Sequence, residues 1–565
     1  MATRLPKTDV VIVGMGAAGG IAALPLAKAG LDVIGLEAGG TYTARDFVAD
    51  EIKHDTLNWL SRAKALWEVP TVRSNPGEVA EKGQGIVMMN GVGGSSIHYT
   101  GQSWRLNPYN FRERSETISR YGASALPPGA EVADWPLSYD ELEGYYDRVE
   151  RAIGISGKAG NIGGRKDPRG NVFEGPRRRE YPVKPLRSTG WTEMMDKAAR
   201  DMRWNPFPGP AAILSEPYQG RGACDYHGFC TFNGCHVAAK SSVNVTTIPA
   251  AEETGNLKIV TRARVVRVEV DHEGRASGVT YVRGRQEFFQ PADVVLLGTY
   301  TYENTRLLFF SSSAAHPAGI GNSTGQLGRH YMAHSYLSVA GLFPGKRLNR
   351  FSGTGAQQVC VDDWDADMFD HTGLGFIGGA TLSAGMEAKP LGMARQTPPS
   401  VPRWGYAWKR WLRENANSVG ETLWQLPTQP YENNRLDLDP THRDQYGQPV
   451  IRITYSLGEH EQRVAAFAKE KATAWLKTAG AAETWGGDAF PLALNSHAYG
   501  GTRMGADPAS SVVDRWGRVH DTPGVYVIGA STFPSVSGKN PTQTVQAMAW
   551  RTAAHLVRNW KSVTA

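Results

Sequence analysis

The first apolar run of the chain, Asp9-Val-Val-Ile-Val13, shows no polar alternation after Asp9. An unbroken β-branched run of this length predicts a strand buried on both faces, as in a parallel sheet. It leads into Gly14-Met-Gly16-Ala-Ala-Gly19 and then the helical pattern Ile21–Lys28, with Gly30 as C-cap. A second buried strand, Asp32–Leu36, ends at Glu37. Near the other end, Val525-Tyr-Val-Ile-Gly-Ala-Ser-Thr-Phe533 reads as a buried strand ending at Gly529, with Ala530 after it, and Pro541-Thr542 opens the last helix. Strand, glycine turn, helix and strand in this order predict a dinucleotide-binding βαβ unit in an α/β protein.

Each position of that unit has a physical task. Gly14 permits the tight turn, Gly16 lets backbone approach a pyrophosphate, and Gly19 lets helix and strand pack closely. The helix N-terminus offers unpaired N–H groups and partial positive charge to phosphates. Glu37 can accept hydrogen bonds from a ribose diol. FAD and NAD fit these requirements equally.

The length of 565 residues implies about two to four domains. With 41% hydrophobic and 21% charged residues, the chain has ample material for large cores. Its 64 glycines and 33 prolines are dispersed, which indicates many turns rather than a disordered tract. The formal net charge of +6 comes without a lysine or arginine block, which argues against a nucleic-acid arm. It is read as a mildly basic surface, with docking of an acidic partner as the alternative. No run reaches the roughly 18 apolar residues of a membrane helix. The charged N-terminus runs straight into the first strand without a signal-like stretch or twin arginine. The expected location is therefore cytoplasmic, or periplasmic if a signal-bearing partner exports the folded chain.

Four cysteines exclude a disulfide scaffold, yet three of them cluster as Cys224, Cys230 and Cys235. Closely spaced thiolates with glycines between them suit an iron–sulfur cluster. A Cys₃His zinc set with His227, or isolated buried thiols, are the alternatives. Cys360 stands alone and reads as a buried hydrophobe.

The segment Asn90-Gly-Val-Gly-Gly-Ser-Ser-Ile-His-Tyr99, followed by Trp104-Arg105, resembles the first signature of the glucose–methanol–choline (GMC) oxidoreductase family. The second signature resembles Val294–Leu308 in a divergent form. The resemblance implies FAD as cofactor. It places Asn90, Gly91, Gly93, Gly94 and Ser95 in a loop against the flavin, and His98 where some sugar-oxidising relatives bind flavin covalently. It also places the strand Asn256–Val265, with Val265, against the adenine. The segments Asp362–His371, Leu374–Gly379, Leu436–Asp444 and Gly447–Pro449 are similar to the branch holding the flavoprotein subunit of bacterial gluconate 2-dehydrogenases and related sugar dehydrogenases.

Alcohol oxidation by hydride transfer needs a base for the hydroxyl proton and a group to hold the oxygen. Asn495-Ser-His497 and Ser537-Gly-Lys-Asn540 resemble the family's His–Asn pair, which makes His497 the base and Asn540 its partner. The resemblance also implies a [3Fe–4S] cluster at the cysteine run, where relatives carry four cysteines. Here His227 stands at the second position, so Cys224, Cys230 and Cys235 suffice as the three ligands only if the cysteine missing there is a spectator.

The implied fold interleaves a Rossmann-like FAD-binding domain (1–115, 225–330, 490–565) with an α+β substrate-binding domain (331–489). Residues 116–224 form a flavin-covering excursion that runs into the cysteine region 224–235. Trp404, Tyr406, Trp408, Trp411 and Trp424 could line a sugar pocket or simply pack. The leading expectation is oxidation of a sugar, sugar acid or glycoside, with electrons passing through the cluster to a partner such as a small subunit and cytochrome. A peroxide-forming oxidase is the second reading, and a lyase that holds FAD without redox use is the third.

Overall fold

The computed structural model describes residues 2–57, 59–84, 88–385, 387–491 and 493–564. The expected βαβ unit forms as strand Thr8–Val13, helix Ala17–Lys28 and strand Val33–Glu37. The helix begins earlier than the apolar pattern indicates, directly after an extended Gly16 at its N-cap. Val10, Val11 and Ile12 are fully buried, as a strand covered on both faces requires.

Five parallel strands run in the spatial order Leu257–Thr261, Val33–Glu37, Thr8–Val13, the C-terminal half of Gln286–Leu297, and Val525–Val527. The first half of Gln286–Leu297 pairs antiparallel with Ala276–Arg283, which pairs with Arg264–Val270. Helix Ala17–Lys28 packs on helix Thr542–Arg558, which in turn packs on Tyr139–Ile153. The carboxyl ends of the central strands, where such sheets bind nucleotides, all open toward one cleft.

A second, largely antiparallel sheet holds Glu483–Gly486, Ser335–Leu342, Val419–Leu426, Leu382–Ala384, Val359–Val361 and Pro206–Pro208. Helices Glu459–Thr478 and Gly190–Asp201 cover it, with Trp191, Trp475 and Leu476 in the shared core. Trp475 satisfies its buried N–H on the Met195 carbonyl at 2.9 Å.

The chain interleaves more than the sequence segments suggest. The 116–224 excursion supplies helix Gly190–Asp201 and the edge strand Pro206–Pro208 to the second sheet. Strands Arg435–Arg443 and Pro449–Thr454, from the 331–489 segment, instead join Thr71–Arg73 in a separate four-stranded sheet. These pairings span hundreds of residues, so no local pattern announces them. Within the aromatic stretch, Trp404 and Tyr406 are 83% and 78% exposed, whereas Trp424 lies in the core of the second sheet. Among the described residues no helix is long and apolar enough to cross a membrane.

Candidate active site

A cleft holding about 1580 Å³ of space, its mouth included, collects residues from the βαβ unit, the Asn90–Ser95 loop and the two C-terminal motifs. Gly14 and Gly16 line one wall, Glu37, Asn90, Gly94 and Ser95 the next, and Val265 stands farther along. Ser496, His497, Gly529, Ala530 and Thr542 complete it.

The two glycine loops form one cradle. Gly14 has φ +86°, and a Cβ there would sit 2.8 Å from the Gly298 carbonyl oxygen. A Cβ on Gly94 would meet Gly16 Cα at 2.8 Å, so the second loop lies directly on the first. Gly19 does its packing task, since a Cβ there would lie 2.0 Å from Gly14 O. Gly91 and Gly93 stand behind the wall, the former against the Tyr42 ring and the latter donating its N–H to Met15 O at 2.8 Å. Such a cradle of bare backbone suits a pyrophosphate.

Glu37 is buried, and burial raises its carboxyl above the usual carboxylate range. The Met15 and Gly39 N–H groups donate to its two oxygens at 3.0 and 2.8 Å and fix its direction. The end of the cleft near Val265 is closed by an ion network not apparent in the sequence. Lys64 reaches Glu68 and Glu303, both at 3.0 Å, while Arg264 and Arg306 converge on Asp444 at 3.1 and 2.7 Å. Helix Thr542–Arg558 starts at the opposite end with no side-chain cap, leaving its first N–H groups for a ligand.

His497 and Asn540 are brought together from 43 residues apart, with Asn540 Nδ2 3.4 Å from His497 Nε2. The Trp104 indole N–H donates to Asn540 at 2.9 Å. An indole nitrogen can only donate, so the atom it meets is Oδ1 and the amide NH₂ faces His497. Replacing Trp104 with phenylalanine is expected to free the amide to rotate and to lower kcat by about fivefold, the worth of roughly 1 kcal/mol of hydrogen bonding. Flavin affinity should stay unchanged, and steady-state kinetics with a flavin titration measures both.

The tautomer of His497 follows from its neighbours. His334 Nε2 lies 2.7 Å from the Ser537 carbonyl, which can only accept, so His334 carries its proton there. Burial lowers the His334 pKa to about 4, so the ring is neutral and its Nδ1 is bare. His497 Nδ1 lies 3.0 Å from that atom and must donate to it. His497 therefore presents an unprotonated Nε2 toward Asn540. Tyr336 supports the arrangement: its hydroxyl is 3.0 Å from His497 Nδ1 and donates to Asn495 Oδ1 at 3.2 Å. Burial also holds the His497 pKa well below its ordinary value. His334 and Tyr336 belong to no motif read from the sequence, and Trp104, which follows the first family signature there, has no role legible in it.

His98 is buried beside Lys240 and His54, its Nε2 without a partner, and it is not on the cleft wall. Burial first, then the Lys240 charge, lowers its pKa to about 3.

The cysteine loop winds through left-handed backbone at Tyr226, Phe229 and Phe232 (φ +56°, +56° and +58°). Cys224 and Cys235 pack against Val183, Leu214 and Ala239; Cys224 and Cys230 pack against Ala211, Ile213 and Ala356. The Glu387 carboxylate accepts from the Cys230 and Thr231 N–H groups, which anchors the loop. The zinc set of three thiols and His227 is not assembled, because His227 turns to Asp225 and His236. Cys360 packs with Trp104 and Phe207 as an ordinary apolar residue.

A parallel sheet with a glycine cradle at its strand ends and a neutral histidine on the wall of the same cleft defines a nucleotide-dependent oxidoreductase. Two GMC oxidoreductase family models match residues 212–334 and 430–549. The gluconate 2-dehydrogenase flavoprotein of Pantoea cypripedii is 31% identical over 98% of this chain and 94% of its own length. The fructose dehydrogenase large subunit of Gluconobacter japonicus is 27% identical over 99% and 100%. A solved structure of formate oxidase shares the fold, with TM-score 0.62 at 16% identity over 100% of this chain and 99% of that one. The chain belongs to the GMC oxidoreductase family; it is an FAD-dependent enzyme acting on CH–OH groups.

Proposed function

We propose that the enzyme oxidises a hydroxyl of a sugar, sugar acid or glycoside and passes the electrons to a partner protein. The observation that carries the reading is the His497–Asn540 pair, with His497 on the cleft wall and its tautomer set by His334. The 3.4 Å between the two side chains leaves a weak contact that a substrate oxygen can replace. Asn540 Nδ2 would donate to that oxygen, and His497 Nε2 would take its proton. FAD, when bound, supplies the acceptor for the hydride. Gly14, Gly16 and Gly94 would cradle its pyrophosphate, with Gly19 packing the helix behind them, Glu37 the ribose, and Val265 the adenine. Asn90, Ser95, Gly529, Ala530 and Thr542 would face the flavin end. The names of the gluconate and fructose enzymes support the substrate class. Anaerobic mixing with aldoses, aldonic acids and glycosides tests it: bleaching of the flavin is expected, and none with any of them would sink it.

The expected pH dependence has a definite sign. The base works only unprotonated, and burial places its pKa below 6.5. The kcat/KM should stay level as pH falls to 6.5 and drop only in more acidic buffer. A pH–rate profile reads the midpoint, and one above 6.5 would remove His497 from the role.

Cys224, Cys230 and Cys235 would hold a [3Fe–4S] cluster, which would supply a one-electron acceptor for a small subunit or cytochrome. The shared apolar neighbours of the thiols support this, as does the Tyr226 N–H that donates to Cys224 Sγ at 3.4 Å. Iron analysis with EPR of the oxidised protein decides it. His227 at the second position of the run favours the oxidase reading instead, and hydrogen peroxide formed faster than an artificial acceptor is reduced would establish that. A covalent bond from His98 to flavin rests on its position after the Asn90–Ser95 loop alone, since the residue lies off the cleft wall; flavin that stays with acid-precipitated protein would show the bond.

A further inference from the structure

The cysteine loop gathers a second set of donors that uses none of its thiols. His227 Nδ1 lies 2.6 Å from Asp225 Oδ1, and His236 Nε2 lies 3.9 Å from Asp225 Oδ2. The two imidazole rings stand nearly perpendicular, with centroids 4.5 Å apart. One ligating atom from each of the three residues lies within 4.8 Å of the other two. That is the spread a single ion can close.

The backbone prepares the arrangement. Asp225 and His227 sit two residues apart, with a left-handed Tyr226 between them. Left-handed Gly228, Phe229 and Phe232 then lead the chain round to His236. The strand-like bridge from His227 to Gly353 pins the loop, and Gly353 N–H donates to Tyr226 O at 3.1 Å. Each non-glycine residue held left-handed costs about 1–2 kcal/mol, so something must favour this path over relaxed ones. His227 and His236 are partly exposed, which gives an ion access from solvent and leaves coordination positions for water.

Two imidazoles and one carboxylate suit a borderline divalent ion rather than calcium or magnesium, which take oxygen sets. We propose that Asp225, His227 and His236 form a zinc-class metal site that fastens the cysteine loop, independent of whatever the three thiols hold. Its partly exposed, open set makes it a bound-ion staple for the loop and separates it from the reacting cleft, which none of the three residues lines.

Calorimetric titration of chelator-treated, FAD-loaded protein with Zn²⁺ tests the site. One ion per chain is expected to bind in wild type and in the Cys224→Ser/Cys230→Ser/Cys235→Ser protein. His227→Ala and His236→Ala should each weaken binding by at least about 10- to 100-fold, the loss seen even for outer-shell partners. The X-ray absorption of zinc-loaded wild type should show nitrogen and oxygen neighbours at about 2.0–2.1 Å and no sulfur at about 2.3 Å. Unchanged affinity in both histidine variants, a sulfur shell, or no zinc uptake would overturn the proposal. Should the cysteine variant fail to fold, the absorption spectrum of wild type is sufficient to decide between the two donor sets.

Discussion

Replacing His497 with alanine is expected to slow anaerobic flavin reduction by about 10²- to 10⁴-fold, the span that a positioned general base contributes. The loss should fall on kcat and on kcat/KM together, because the proton moves only as the transition state forms. Flavin binding should survive, since the cradle at Gly14, Gly16 and Gly94 stands on backbone and does not use the His497 side chain. Stopped-flow absorbance with saturating substrate separates the two effects, and reduction at the wild-type rate would refute the assignment. A companion, His334→Ala, leaves the imidazole of His497 but removes the acceptor of its Nδ1–H. The ring can then flip its proton to Nε2, so the expected loss is smaller and its share of active tautomer falls at every pH. A base acting without its neighbour would show no such loss.

The glycine cradle was legible because its requirements are local. Gly14, Gly16 and Gly19 act within six residues, and each demand is one that a side chain would violate. His497 and Asn540 were legible only through their match to a family motif, since nothing in 43 residues of spacing says that two side chains meet. The pairing of strands Thr8–Val13 and Val33–Glu37 followed from the same unit, but the exchange of segments between sheets did not.

What the sequence hid has a common physical form. His334 reaches His497 across 163 residues and Trp104 reaches Asn540 across 436. A histidine on a strand edge has ordinary structural uses and signals no role, and Trp104, though it follows a family-like segment, gives no hint in sequence of the side chain it meets. The aromatic stretch shows the converse, since density in sequence does not decide between lining and packing: helix Gly405–Asn415 has no buried residue, whereas Trp424 is a core residue. The segment Asp362–His371, which in sequence shows only a likeness to the gluconate dehydrogenase branch, acquires a physical reason. Asp362 and Asp365 hold the lysine that precedes Asn540.

That lysine underlies the largest stability effect expected of one substitution. Lys539 Nζ lies 2.7 Å from Asp362 Oδ2 and 3.0 Å from Asp365 Oδ2, all three side chains almost fully buried. Asn171 and Thr381 complete Asp362 with contacts of 2.6 Å each, and Asn107 donates to Asp365 at 2.6 Å. Lys539→Met keeps much of the volume but leaves two carboxylates buried against each other. Breaking a buried pair from one side costs about 3–5 kcal/mol. Chemical denaturation should show a lower midpoint with the same slope. The pH dependence fixes the cause. Burial, with Asp362 adding to it, already raises Asp365 to about 6 against an ordinary 3.8. Without the lysine the folded carboxyl holds its proton more tightly still, while the unfolded one does not. The variant should therefore be penalised less at pH 5 than at pH 8, because acid supplies the neutral form that the fold now prefers. Adding Asp362→Asn and Asp365→Asn to Lys539→Met should recover stability without recovering the ordered Asn540, so that midpoint and turnover separate. If turnover returned with stability, the cluster would be a fold element only. If it did not, the charge on Lys539 also holds the loop that presents Asn540 to His497.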